Sequence, residues 1–108
     1  MITQIKYKKY KVKVYKMTVK QAKLHNAYGI YNNSRIFIQE NLSNKNFIDT
    51  LFHEIAHFII DKTKNPPKSE EAAAYFVGTE FSRIFFQNPS FIDFIKKYIK
   101  DKNKKWKL

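Results

Sequence analysis

Residues 50–60 read TLFHEIAHFII, and two of the chain's three histidines, His53 and His57, sit four apart in this oily run with Glu54 between them. Widening the window, Phe47, Ile48, Leu51, Phe52, Ile55, Phe58 and Ile59 recur at helical spacing. Ser43 or Asn44 is placed to cap such a helix, which should end near Lys62 to Lys64, before the NPP at 65–67. Side chains four apart on a helix lie one turn above another on the same face. Two imidazoles so placed can grip one metal ion without rearranging the backbone. A glutamate directly after the first can take a proton from a water bound there and pass it to a leaving amine. Those are the mechanics of the HExxH pattern. The bland alternative is that both histidines face solvent or are hydrogen-bonded within a core. Leaving two histidines and a glutamate unpaired among Phe and Ile would be costly, so spacing and setting together favour the metal.

A catalytic zinc site has three protein ligands and a water. The chain has no cysteine, so the third ligand must be another His or a carboxylate. Asp61 continues the series four residues after His57, but it lies about 12 Å along the axis from His53 and cannot share one ion with both histidines. Asp49 and Asp61 read better as partners for imidazole N–H groups, or as helix surface. His25 stands alone in a lysine-rich segment and is expected to face solvent. That leaves Glu70 and Glu71, which open the next helix. From Glu71 an inward face would run through Ala72, Tyr75 and Phe76, and from Glu70 through Ala73, Ala74 and Val77. Helical geometry leaves both open.

Working outward from this helix, residues 2–17 alternate apolar and basic. Ile5 and Tyr7 share one phase and Tyr10, Val12 and Val14 the other, so a turn or bulge falls at Lys8-Lys9. Residues 18–27 read as a short helix or a loop. YGIYNNSRIFI, residues 28–38, predicts a second hairpin turning at Asn32-Asn33-Ser34. Ser69 caps a helix running to about Gln87, with Glu70 and Glu71 at its positive end. Asn88-Pro89 restarts a third helix, SFIDFIKKYI, with Phe91, Ile92, Ile95, Tyr98 and Ile99 on one side. The tail KDKNKKWKL is expected to fray from about residue 102. The fold class is therefore α+β: a small twisted antiparallel or mixed sheet from the N-terminal half, packed on two to three helices, as one domain over 1–108.

The net charge is +12, with eight lysines between residues 6 and 23, before any acid, and seven more between 96 and 107. Such a balance attracts nucleic acid, an anionic surface or an acidic protein partner, weakly at most if, as the composition favours, lysine is simply the default solvated surface residue. Only two of the 21 basic residues are Arg, the side chain best suited to bidentate phosphate or guanine contacts. The longest apolar run is far short of a membrane span, and lysines interrupt the N-terminus where a signal peptide would be continuous. A cytoplasmic protein without membrane association is the expectation.

HEIAH followed by SEEAAAYF at the start of a second helix resembles the small zincin-type metallopeptidases of phages and mobile elements, related to the ImmA/IrrE-type proteases that cleave repressors. An N-terminal β portion, a strand like RIFI before the active helix and an NP break before the last helix extend the likeness over most of the chain. The resemblance implies a zincin-like fold and zinc-dependent hydrolysis of a protein or peptide substrate. It implies His53 and His57 as zinc ligands, Glu54 as base and a glutamate of the second helix as third ligand. Glu71 is favoured over Glu70 because in the related proteases the ligand glutamate directly precedes alanine. The strand at Arg35 to Ile38 would hold substrate by edge pairing, and Tyr28, Tyr31 and Tyr75 are candidate oxyanion donors. Two other classes remain: a basic binding module for nucleic acid or an acidic protein, and an inhibitor of a host enzyme built on the same scaffold without proteolysis.

Overall fold

The phase change at Lys8-Lys9 is a hairpin. Strand β1 (Thr3–Tyr7) pairs antiparallel with β2 (Tyr10–Met17), with Tyr7 opposite Tyr10, and Lys8 takes the left-handed conformation at φ 55°. In this computed structural model, which describes residues 1–107, the ambiguous segment after β2 is helix α1 (Val19–His25). Thr18 caps it, and Gln21 returns a bond to the Thr18 backbone, so a capping box starts the helix where composition alone left a choice. Strands β3 (Gly29–Asn32) and β4 (Arg35–Gln39) form the second hairpin, turning through Asn33 and Ser34 at φ 50° and 59°. Positive φ at both central residues matches the right-handed twist of the flanking strands.

The four strands are ordered β1-β2-β4-β3, with β2 and β4 parallel and the other two pairs antiparallel. The α+β class with a mixed sheet is as expected. The place of the RIFI strand is not. β4 is interior, bonded to β2 on one side and β3 on the other, so it offers no edge; β3 is the edge strand on that side.

Helices α2 (Asn44–Asp61), α3 (Glu70–Gln87) and α4 (Pro89–Ile99) follow. Ser43 caps α2 by accepting from the Asn46 N–H at 3.1 Å. Phe47, Leu51, Ile55, Phe58 and Ile59 of α2 are buried with Ile5, Tyr7, Val12, Val14, Ile36 and Ile38 of the sheet. Each such side chain contributes about 1.5–3 kcal/mol by leaving water. On α4, Phe91, Ile95 and Tyr98 turn inward, whereas Ile92 and Ile99 are exposed; Phe94 replaces them, with its ring against Phe47, Phe91 and Tyr98.

The outer edge of β1 is closed by two side-chain amides. Asn88 accepts from the Lys6 N–H at 2.8 Å and donates to the Lys6 carbonyl at 2.6 Å. Gln87 does the same for Lys8, at 2.8 and 2.7 Å. Lys6 and Lys8 are satisfied in this way and offer no free backbone groups to another strand. The end of α3 is further tied to β1 by the buried Tyr7 hydroxyl, which donates to Glu80. Burial, with help from that carboxylate, pushes the Tyr7 hydroxyl up to about 12.

The tail does not fray where expected. Trp106 is buried, stacks on Phe47 with ring centroids 4.3 Å apart, and donates its indole N–H to the Gln39 carbonyl at 3.0 Å. The Asn44 N–H donates to the Lys104 carbonyl at 2.6 Å and the Trp106 N–H to the Leu42 carbonyl at 3.1 Å. One large aromatic in a lysine-rich tail is enough to anchor it. Among the described residues, no helix is long and apolar enough to cross a membrane.

Candidate metal centre

The inward stripe of α2 turns His53 and His57 to the side, onto an exposed face beside β3. Their Nε2 atoms approach to 3.1 Å and their rings are inclined at 80°. Two nitrogens bound at 2.0–2.1 Å to one tetrahedral zinc would stand about 3.3 Å apart. The pair therefore already has the separation an ion requires. The carboxylate of Glu54 completes a group whose donor atoms all lie within 4.8 Å of one another. This cluster can hold a metal.

Unlike the histidines, Glu54 is buried, at 3 % exposure. Burial raises its carboxyl above the ordinary carboxylate range, opposed by the positive charge of His57 and then His53. A carboxyl so tuned is a better proton acceptor than a solvated glutamate.

Gly29 is what brings β3 against this carboxylate. A Cβ added there would lie 2.4 Å from the Thr50 Cγ2 and 3.1 Å from the Glu54 Cγ. No residue but glycine lets the strand approach so closely. Two clefts meet at Glu54 along this contact: one lined by Tyr28, Gly29, Thr50 and His53, the other by Tyr31, His57, Ile60 and Asp61. Together they make a trough between the β3 edge and α2.

The backbone of that edge is open. Gln39 donates to the Tyr28 carbonyl at 2.8 Å, so Tyr28, Ile30 and Asn32 direct their backbone groups toward β4. Alternation then sends those of Gly29 and Tyr31 outward, over the trough. The Tyr31 hydroxyl donates to Asp61 at 2.6 Å, and burial together with that carboxylate pushes it up to about 12. The same bond holds the Asp61 carboxyl below the usual carboxylate range.

The other expected residues are distributed differently. Asp61 serves Tyr31 and Lys62, and Asp49 pairs with Lys45 at 3.0 Å, so neither bonds an imidazole. His25 is exposed in the last turn of α1. Tyr28 and Tyr31 border the trough, whereas Tyr75 is 74 % exposed on α3. Glu70 and Glu71 are exposed in the first turn of α3, below the Ser69 cap. The packed face of α3 runs through Ala73, Phe76, Phe81 and Ile84, which corrects both faces drawn from the sequence: Ala72 and Tyr75 of the one and Ala74 and Val77 of the other are exposed. Among the described residues, the metal-competent group is His53, Glu54 and His57, with Glu71 outside it.

Sequence reasoning missed Gly29 and the trough. The signal was present: one of only two glycines falls at the start of an otherwise bulky β segment, YGIY. A glycine in a strand often marks a close backbone approach.

The profile of the peptidase M78 family, described as the IrrE N-terminal-like domain, matches residues 7–103. The match takes in every element from the end of β1 to α4, and with them the whole cluster. No curated protein and no solved structure matches the chain with significance.

Proposed function

We propose that this chain, which belongs to the peptidase M78 family of IrrE N-terminal-like domains, is a zinc metallopeptidase in which His53 and His57 hold the ion, Glu54 is the base and Glu71 is the third ligand. The observation that carries this reading is the 3.1 Å approach of the two Nε2 atoms beside a buried carboxylate. Zinc, when bound, supplies electrophilic polarisation of the scissile carbonyl and of the attacking water. The protein's own residues supply the rest. Glu54 accepts the proton released as the carbon–oxygen bond forms, and returns it to the departing nitrogen. The outward N–H and C=O groups of Gly29 and Tyr31 pair with an extended peptide and lay it along the trough. The Asp61 carboxylate keeps the Tyr31 ring fixed beside His57, where it shapes the wall of the cleft.

The support for Glu71 is its place directly before Ala72 in SEEAAAYF, the position that the family resemblance implies for the ligand; Glu70 is equally exposed. Two histidines leave two tetrahedral positions, one for a carboxylate and one for water. Glu71→Ala therefore weakens zinc binding severely and Glu70→Ala costs only modest stability; the reverse would move the ligand back by one residue.

Turnover of a broad peptide library, followed by mass spectrometry, tests the activity. Wild-type protein cleaves internal peptide bonds, while Glu54→Gln keeps its metal and loses turnover by about 10²–10⁴-fold. Cleavage by Glu54→Gln at the wild-type rate, or no cleavage by metal-loaded wild type, would refute the assignment.

A further inference from the structure

The face of the sheet turned away from α2 has a composition that the peptidase reading does not use. Its residues fall in rows fixed by strand pairing. Lys6 lies opposite Lys11, and Gln4, Lys13 and Arg35 follow one another across β1, β2 and β4. Tyr15, Phe37 and Ile30 make the next row, across β2, β4 and β3. The four cations are exposed and the three apolar residues half-buried. Tyr15 and Phe37 stack with centroids 5.4 Å apart and planes inclined at 22°.

No acid balances this charge. The first acidic residue of the chain is Glu40, so none of the four strands carries one. Each named ion pair, Lys45–Asp49, Lys62–Asp61, Arg83–Glu80 and Lys96–Asp93, lies in the helical half. Lys6, Lys11, Lys13 and Arg35 are spaced by the sheet itself, about 5 Å across strands and about 7 Å along them. Mutual repulsion among four cations, none of them in an ion pair among the described residues, favours whatever polyanion settles there.

From this arrangement we infer that the sheet face turned away from α2, on the side of its lysines, is a binding surface for single-stranded nucleic acid. Phosphates lie along Lys6, Lys11, Lys13 and Arg35, and one or two bases stack on the Tyr15–Phe37 row. Cations alone would serve a duplex, an acidic protein or an anionic membrane equally well. The adjoining aromatic row favours a single strand, whose unpaired bases can stack on the half-exposed Tyr15–Phe37 pair. With one arginine among the four cations, contact is to the backbone and not to base edges, so binding tolerates changes of sequence. The surface lies across the sheet from His53 and His57, and its use does not depend on peptidase activity.

The test is fluorescence anisotropy of a labelled 20-nucleotide oligo-dT, titrated with the 108-residue chain between 50 and 200 mM salt. Four phosphate contacts give log K a slope of about −2.8 against log salt. Replacing Lys11, Lys13 and Arg35 together by Gln reduces that slope to about −0.7. Tyr15→Thr, which keeps a β-favouring residue, weakens binding roughly tenfold without altering the slope. All four positions lie outside the core, and a cooperative unfolding transition, lowered slightly in Tyr15→Thr by loss of its stacking on Phe37, confirms intact folding. Lys102, Lys104 and Lys105 changed together to Gln is the control for the C-terminal cluster and leaves the affinity within about twofold, since these residues lie off the platform. Equal affinity for a duplex of the same length, or equal displacement by poly-glutamate, would overturn the inference in favour of unspecific or acidic-protein binding. So would full affinity in the triple variant. Glu54→Gln, which loses turnover in the peptidase test, leaves oligonucleotide binding unchanged, so the two readings fail separately.

Discussion

At the scale of single residues, the site rests on one helical interval and one glycine. The interval was legible because residues i and i+4 meet on any α-helix, whatever surrounds it. The glycine was not, because its role depends on which strand passes α2, and that is a tertiary fact. Gly29→Ala places a methyl group against Thr50 and Glu54. We expect it to destabilise the protein by about 1–3 kcal/mol, and to displace the base. A lowered melting temperature with reduced turnover at unchanged zinc content is the predicted result. A variant as stable and active as wild type would mean that β3 does not approach so closely.

Tyr31 and Asp61 make a second prediction, through pH. The folded Asp61 carboxyl lies below its unfolded value because it accepts from Tyr31. Its contribution is therefore present above the unfolded pKa and is lost as pH falls through the folded one. Tyr31 is raised to about 12, so its contribution is present below the ordinary tyrosine value and is lost as pH rises toward 12. Tyr31→Phe should lessen the dependence of stability on pH at both limits and leave the neutral region nearly flat. Unfolding curves across the pH range that match wild type would show that the bond does not persist in solution.

At the scale of elements, the strongest periodicities are legible: α2 from its apolar stripe and the Pro89 restart of α4, while the change of phase at Lys8-Lys9 marks a turn or bulge and the structure makes it a hairpin. The errors share a cause. Strand order, the inward face of α3 and the anchoring of the tail all depend on contacts distant in sequence. Nothing local in RIFI says that β2 will pair with it in parallel across α1. Nothing in KDKNKKWKL says that its tryptophan will meet Phe47. Trp106→Ala should cost about 3–5 kcal/mol, as loss of a large buried aromatic does. A tail that merely frays would show no change in the unfolding midpoint.

For the whole molecule, charge and chemistry are segregated by the sheet. The inner face packs on α2 and supports the histidine pair. The outer face carries four cations with no acid in any strand. Of the two free edges, β1 is closed by Gln87 and Asn88, and β3 stays open beside Glu54. An extended chain offered to this fold thus has one edge to join, and that edge borders the metal-competent cluster. That economy links the topology to the proposed peptide hydrolysis.

His53 and His57 are proposed to share one zinc ion. Plasma emission analysis of protein purified without chelator tests this most directly. Wild type should carry about one zinc per chain and the His53→Ala, His57→Ala double variant essentially none. Full zinc content in the double variant would contradict the account.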